Sequence, residues 1–196
     1  MTIMENEQQI PREHQSAEFE IKKSRFIGAI YPCSSQKQAL QHLNKLTQNH
    51  PNANHLAFAW RTRLPDGFIC ERCHDAGEPS GTAGRPILAP LQGQNIINVF
   101  VGVLRYFGGI KLGTGGLTRA YGNAAKMTID AAQLDPWIEM AEIKMVIEYS
   151  ELQSLEYQLN KCKGKIIEQK FSDKVKVCIL LPLSEKKQLK QLFEHY

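Results

Sequence analysis

Apolar and polar positions change their period several times along the 196 residues, and each change marks an element. Over residues 18–31, Phe19, Ile21, Phe26, Ala29 and Tyr31 stand among polar partners. This predicts one long strand with a bulge or bend near Gly28. Ala39, Leu40, Leu43 and Leu46 then recur at three- and four-residue steps, predicting a helix capped by Ser34 or Ser35 and ended by Pro51. Residues 54–64 and 68–73 flank the turn signal Pro65-Asp66-Gly67, so an antiparallel hairpin is expected. A short helix is expected around residues 86–91. The apolar run 95–106 predicts a central strand covered on both faces. Leu117, Ala120, Tyr121, Ala124, Ala125, Thr128, Ile129 and Ala132 fall at helical spacing, in a helix that opens directly from Gly113-Thr114-Gly115-Gly116.

Leu134-Asp135-Pro136-Trp137 interrupts the pattern and is the expected domain boundary. Beyond it the periods read strand (139–149), helix (151–163), two strands (165–171 and 174–181) and helix (184–193). This βαββα order suggests a small ferredoxin-like sandwich whose usual last strand would lie past Tyr196. The expected organisation is therefore α+β: a flexible segment over 1–17, a first domain over 18–135 and a second over 136–196.

Composition narrows the class without naming a function. At 42% hydrophobic and 22% charged, the chain has an ordinary globular balance. Its length suffices for a core without metal or disulfide staples. The first twenty residues are polar and acidic with no apolar h-region, and no apolar run is long enough to span a bilayer. A cytoplasmic protein with no membrane partner is expected, its five cysteines reduced. The net charge of +4 is unevenly spread: residues 21–137 carry +7 and the first twenty carry −4. All eight arginines precede Trp137. Arginine offers a planar fork suited to phosphate and carboxylate, so the first domain is the one expected to meet an anion.

Two glycine-rich loops carry the candidate chemistry. The first runs from Asp75 to Pro86 as Asp-Ala-Gly-Glu-Pro-Ser-Gly-Thr-Ala-Gly-Arg-Pro. The second runs from Arg105 through Gly108-Gly109 and Gly113-Thr114-Gly115-Gly116 to Arg119. No Asp or Glu occurs from Pro79 to Ile129, whereas Arg85, Arg105, Lys111, Arg119 and Lys126 all lie inside that span. Glycines let backbone approach a ligand closely, and a glycine run opening a helix leaves its first N–H groups free at the positive end of the dipole. That arrangement suits phosphate or carboxylate. The expected anion or nucleic-acid contacts are Arg85, Arg105, Lys111, Gly113, Thr114, Gly115, Gly116 and Arg119. Glu78, with Gly81 and Thr82, is expected to fix the first loop by bridging to Arg85 or Arg105. The plain structural alternative is that the glycines serve only tight turns and close packing.

Other motifs do not complete. Gly113–Thr118 has threonine where a dinucleotide fingerprint wants its third small residue, and no Gly-Lys-Ser/Thr ends a P-loop. Cys70-Glu71-Arg72-Cys73-His74 spells the c-type haem pattern, but it falls on an expected hairpin strand, and no second ligand pair supports zinc. Ser80 lacks the spacing of a nucleophile elbow, and His50, His55 and His74 have no nucleophile to serve. No metal, cofactor or catalytic set is expected. Tyr106 or Phe107 could offer a stacking face to a base.

The loops at 75–86 and 105–121 resemble the two signature stretches of the IMPACT/YigZ family, which run approximately D-x-G-E-P-x-G-T-A-G-x-P and R-Y-F/Y-G-G-x-x-L-G-x-G-G-L-x-x-A-Y. The second unit, including residues 162–167, is similar to the C-terminal domain of bacterial members. The resemblance implies a first domain like the second domain of a small-subunit ribosomal protein and domain IV of elongation factor G. It also implies a ferredoxin-like second domain similar to domain V of that factor. Eukaryotic relatives regulate translation by competing for an activator of a stress-responsive kinase, through an extra N-terminal domain that this chain is not expected to contain. The leading expectation is thus a non-catalytic regulatory protein contacting RNA or the translation machinery through the glycine loops. The alternatives are an enzyme or sensor for a small phosphorylated or carboxylated metabolite at the Gly113–Gly116 helix start, and a module for an acidic protein partner.

Overall fold

The structure is a computed structural model describing residues 7–193, which form two compact units divided between Trp137 and Ile138. The first unit contains β1 (Gln9–Pro11), β2 (Gln15–Ile21), β3 (Ser24–Pro32), α1 (Gln36–Asn49), β4 (His55–Arg63), β5 (Ile69–His74), α2 (Gly84–Gly93), β6 (Val99–Tyr106), α3 (Thr114–Asp130) and β7 (Leu134–Pro136). Five strands make one sheet in the order β2-β3-β6-β4-β5, antiparallel at each pairing.

The continuous apolar run of β6 follows from its central place. Val99, Val101 and Val103 face α2 and α3, packing with Ile87, Leu91, Leu117, Tyr121 and Ile129. Phe100 and Leu104 face the opposite way, into a second cluster with Ala39 and Leu46 of α1. Period-two alternation therefore sends apolar side chains into two cores, and no polar face remains to be read. Ser35 caps α1 by accepting from the Gln38 N–H at 3.3 Å, and the helix stops at Asn49, two residues before Pro51.

Three sequence expectations differ from the fold. The long strand over 18–31 is two strands joined by Lys22 and Lys23, both in the left-handed region at φ 47° and 63°. Two-residue hairpin turns of this hand usually carry Asn or Gly, so two lysines give no turn signal. There is no bulge at Gly28: the β2–β3 register is continuous through it. The glycine is there because α3 crosses at that point, and a Cβ would overlap Thr128 Oγ1 and stand 3.0 Å from the Ala124 carbonyl. Finally, part of the segment expected to be flexible is ordered. Residues 9–11 pair antiparallel with β7, and Arg12 donates to both Asp135 carboxylate oxygens at 2.9 and 2.7 Å. Neither strand exceeds three residues, too short for a legible period.

The second unit contains β8 (Met140–Ile147), α4 (Leu152–Lys161), β9 (Lys165–Phe171), β10 (Val175–Pro182) and α5 (Lys186–Phe193). Its antiparallel sheet runs β8-β10-β9. Ile143, Ile147, Val175, Val177, Ile179 and Leu181 face Leu155, Leu159, Leu189 and Phe193 of the two helices. The α+β class in two units is as expected, with the βαββα order in the second. Among the described residues no helix is long and apolar enough to cross a membrane.

Gly28→Ala is expected to destabilise the first unit by about 1–3 kcal/mol, the usual cost of forcing a methyl into packed space. Urea unfolding should show a lowered midpoint, and an unchanged midpoint would mean that α3 does not pack on β3 as described.

Candidate functional site

The site begins with the alternation of β6, which places Arg105 on the same face as Val103 but at the strand's end. In the sheet its neighbours are Phe26 on β3 and His55 on β4. The Arg105 side chain is only 7% exposed, so its charge needs a close acceptor. Glu78, itself 4% exposed, supplies it: Arg105 Nη1 donates to Glu78 Oε1 at 2.7 Å. Of the two arginines considered as partners for Glu78, Arg105 is the one that meets it. The Tyr121 hydroxyl of α3 donates to the same oxygen at 2.9 Å, and His55 Nε2 stands 3.8 Å away. His55 Nδ1 lies 2.9 Å from the Ala76 carbonyl, a partner that can only accept, so Nδ1 is the donor of that pair. Burial raises the Tyr121 pKa well above the ordinary phenol value, and the Glu78 charge and hydrogen bond raise it further. Tyr121 therefore remains a donor.

The first loop is held from a second point. Asp75 Oδ2 accepts from the Gly81 N–H at 2.9 Å, and Oδ1 accepts from Ala83 and Gly84 at 2.9 and 2.8 Å. It thereby satisfies the free N–H groups at the start of α2, which has no cap of its own. Burial alone would raise the Asp75 pKa, but the backbone donors of Gly81, Gly84 and Ala83 outweigh it and hold the carboxyl below its usual value. Gly81 takes φ 77°, and Thr82 donates to the Pro79 carbonyl at 2.7 Å.

The second loop ends at α3. Gly113 takes φ 72° and ψ 166°, no side chain caps the helix, and its first turn holds no acid. Gly113, Thr114 and Gly115 are exposed, as are Lys111 before the helix and Arg119 within it. Arg119 leans back toward the helix start, its Nη1 4.0 Å from where a Gly115 Cβ would stand.

Between the loops lies a cleft of about 430 Å³. Its lining combines the polar Asn54, His55, Glu78 and Arg105 with the apolar Pro79, Phe107, Leu112 and Leu117, and with Lys111, Gly113 and Thr114. Of the residues expected from sequence, Arg105, Lys111, Gly113 and Thr114 are thus together. Gly115, Gly116 and Arg119 lie along the first turns of α3. Arg85 is exposed on α2 and does not line the cleft. Tyr106 turns away from it, its hydroxyl 2.9 Å from His50 Nδ1, while Phe107 lines it and is 44% exposed. Sequence reasoning missed the roles of Asn54, Asp75 and Tyr121. Tyr121 was indistinguishable from a core residue of an amphipathic helix, whereas Asp75 stood inside the motif and could have been read as a cap. Cys70 and Cys73 are free thiols on β5, and no group of three metal-ligating side chains occurs among the described residues.

Fold and site together define a two-unit α+β protein with a ligand-sized cleft where its glycine loops meet. The Impact N-terminal domain matches residues 22–129, and a domain of unknown function, DUF1949, matches residues 145–193. The chain belongs to the IMPACT family. It is 36% identical over 166 residues to IMPACT family member YigZ of Escherichia coli strain K12, covering 85% of this chain and 81% of that protein. It is 35% identical over 177 residues to an IMPACT family member of Haemophilus influenzae, covering 90% and 85%. A crystal structure of a hypothetical protein is similar at a TM-score of 0.70 and 33% identity, over 94% of this chain and 89% of that one.

Removing Glu78 leaves a buried guanidinium uncompensated, so Glu78→Ala should cost about 3–5 kcal/mol and Tyr121→Phe about 1.5–3 kcal/mol in urea unfolding. Losses below about 0.5 kcal/mol in both would contradict the network. The Asp75 carboxyl has a folded pKa below its ordinary value of 3.8, so its contribution is complete above that value and is lost as pH falls through the lowered one. Acid titration of wild type against Asp75→Asn should show the difference in stability shrinking in that window.

Proposed function

We propose that this protein is a non-catalytic binding protein linked to translation, holding phosphate groups of RNA at the start of α3. The observation that carries this reading is the uncapped, acid-free first turn of α3, flanked by exposed Lys111 and Arg119 and opening on the cleft that Arg105 lines. Helix N–H groups and the dipole attract phosphate, and the two flanking cations add a term that salt screens. Glu78, the one carboxylate among the described residues lining the cleft, is already paired with Arg105, so it opposes an incoming anion less than a free carboxylate would. The family resemblance implies domains like those of a ribosomal protein and elongation factor G, which supports RNA as the source of the phosphate. The apolar share of the cleft favours a second reading, in which a small phosphorylated or carboxylated metabolite occupies the same helix start.

Filter retention of single-stranded RNA should weaken steeply with salt, and Lys111→Ala with Arg119→Ala should reduce the log–log salt slope by about 1–2. Both side chains are exposed, so the fold should survive. Retention that ignores salt, or a double variant that binds as wild type does, would remove the RNA reading. Saturable thermal stabilisation by one metabolite without RNA retention would select the second.

A further inference from the structure

We infer that the cleft is a pocket for a single ribonucleotide, with phosphate on the α3 start, the ribose 2′-hydroxyl on Glu78 and the base against Phe107. The inference rests on the anion-binding reading above and adds what the rest of the ligand must be.

The donors and acceptors left over in the cleft define that ligand. Arg105 and Tyr121 both donate to Glu78 Oε1, with His55 Nε2 3.8 Å from it, and among the described residues Oε2 has no partner. Arg105 Nε is buried and has none either. A carboxylate is an acceptor only, so beside an anion site it selects a group that donates, and a sugar hydroxyl is a neutral group that does so. Dinucleotide-binding folds pair an acidic side chain with a ribose hydroxyl on the same principle. Phe107 presents a half-exposed ring, and its backbone N–H is held by Asn54 Oδ1 at 2.8 Å, which fixes the ring's root. A flat, sequence-tolerant stacking partner is what such a ring accepts. The Arg105 guanidinium lies 5.2 Å from the centre of the same ring. Asn54 keeps its amide N–H₂ as a further donor toward the cleft it lines.

The ligand must therefore combine a terminal anion, a hydroxyl donor and a flat apolar body. At about 430 Å³ the cleft lies in the size range of small-ligand sites, roughly 300–1,000 Å³. Inorganic phosphate lacks two of the three features, and a deoxyribonucleotide within a strand, its 3′-oxygen esterified, has no sugar hydroxyl left to donate. A ribonucleotide has all three, whether free or within a strand.

The test is equilibrium dialysis of the full chain with adenosine 5′-monophosphate, its 2′-deoxy analogue and inorganic phosphate, beside single-stranded RNA and DNA of one sequence. The ribonucleotide should bind about tenfold or more tighter than the deoxy form, the scale of a hydrogen bond to a charged acceptor. Phe107→Ala should weaken the ribonucleotide by about tenfold and leave phosphate unaffected. Glu78→Gln, its fold verified by circular dichroism, should reduce the ribose preference. Equal binding of the ribo and deoxy forms overturns the proposal, as does a ribonucleotide that binds no tighter than phosphate. RNA retention without mononucleotide binding also overturns it, yet leaves the RNA reading in place. Ribose-selective mononucleotide binding without RNA retention does the reverse: it removes RNA as the source and supports the pocket.

Discussion

The end of the first unit where the glycine loops meet depends on one buried ion pair, Arg105 with Glu78. Arg105 arrives near the end of a central strand, and without Glu78 its charge would be buried and unpaired. Glu78 arrives on a loop that has no regular structure of its own. Their meeting fixes that loop against β6, and the Tyr121 hydroxyl brings α3 to the same oxygen. Buried ion pairs are weak sources of net stability because each charge loses its water. Their strength lies in geometry, and here three separate chain segments are held to a single atom.

The layers around that pair make the placement possible. β6 is central and faces two cores, so its direction is fixed from both sides. α3 reaches the sheet closely because Gly28 has no side chain beneath Thr128. Gly108 does the same for the turn after β6, where any Cβ would overlap the Lys23 carbonyl. Asp75 then holds the start of α2 through backbone N–H groups. Glycine loops that look loose in sequence are held at both ends.

The Impact N-terminal domain match spans both glycine stretches, and the geometry says what they hold together. One stretch supplies Asp75 and Glu78, and the other supplies Arg105, Lys111 and the start of α3. Function is argued from that site, since one fold serves many functions.

Much of this could be read from residues alone. The helices announced themselves by period, the hairpin at Pro65–Gly67 by its turn, and β6 by its unbroken apolar run. The order of the second unit followed from the same signals, as did the two glycine loops and their lack of acid. These features are local, and local propensity and period encode them. The Lys22–Lys23 turn was hidden because lysine gives no turn signal, and the short β1–β7 ribbon and the reason for Gly28 because each depends on a neighbour distant in sequence. The same holds for the site. Sequence placed Arg85, Arg105, Lys111 and Arg119 in one span as equals. Tertiary structure separated them, burying Arg105 with Glu78, leaving Arg85 on α2, and setting Lys111 and Arg119 beside the open helix. Sequence spacing cannot say which cation meets a carboxylate and which meets solvent, because that depends on strands and loops that touch only once the chain has closed.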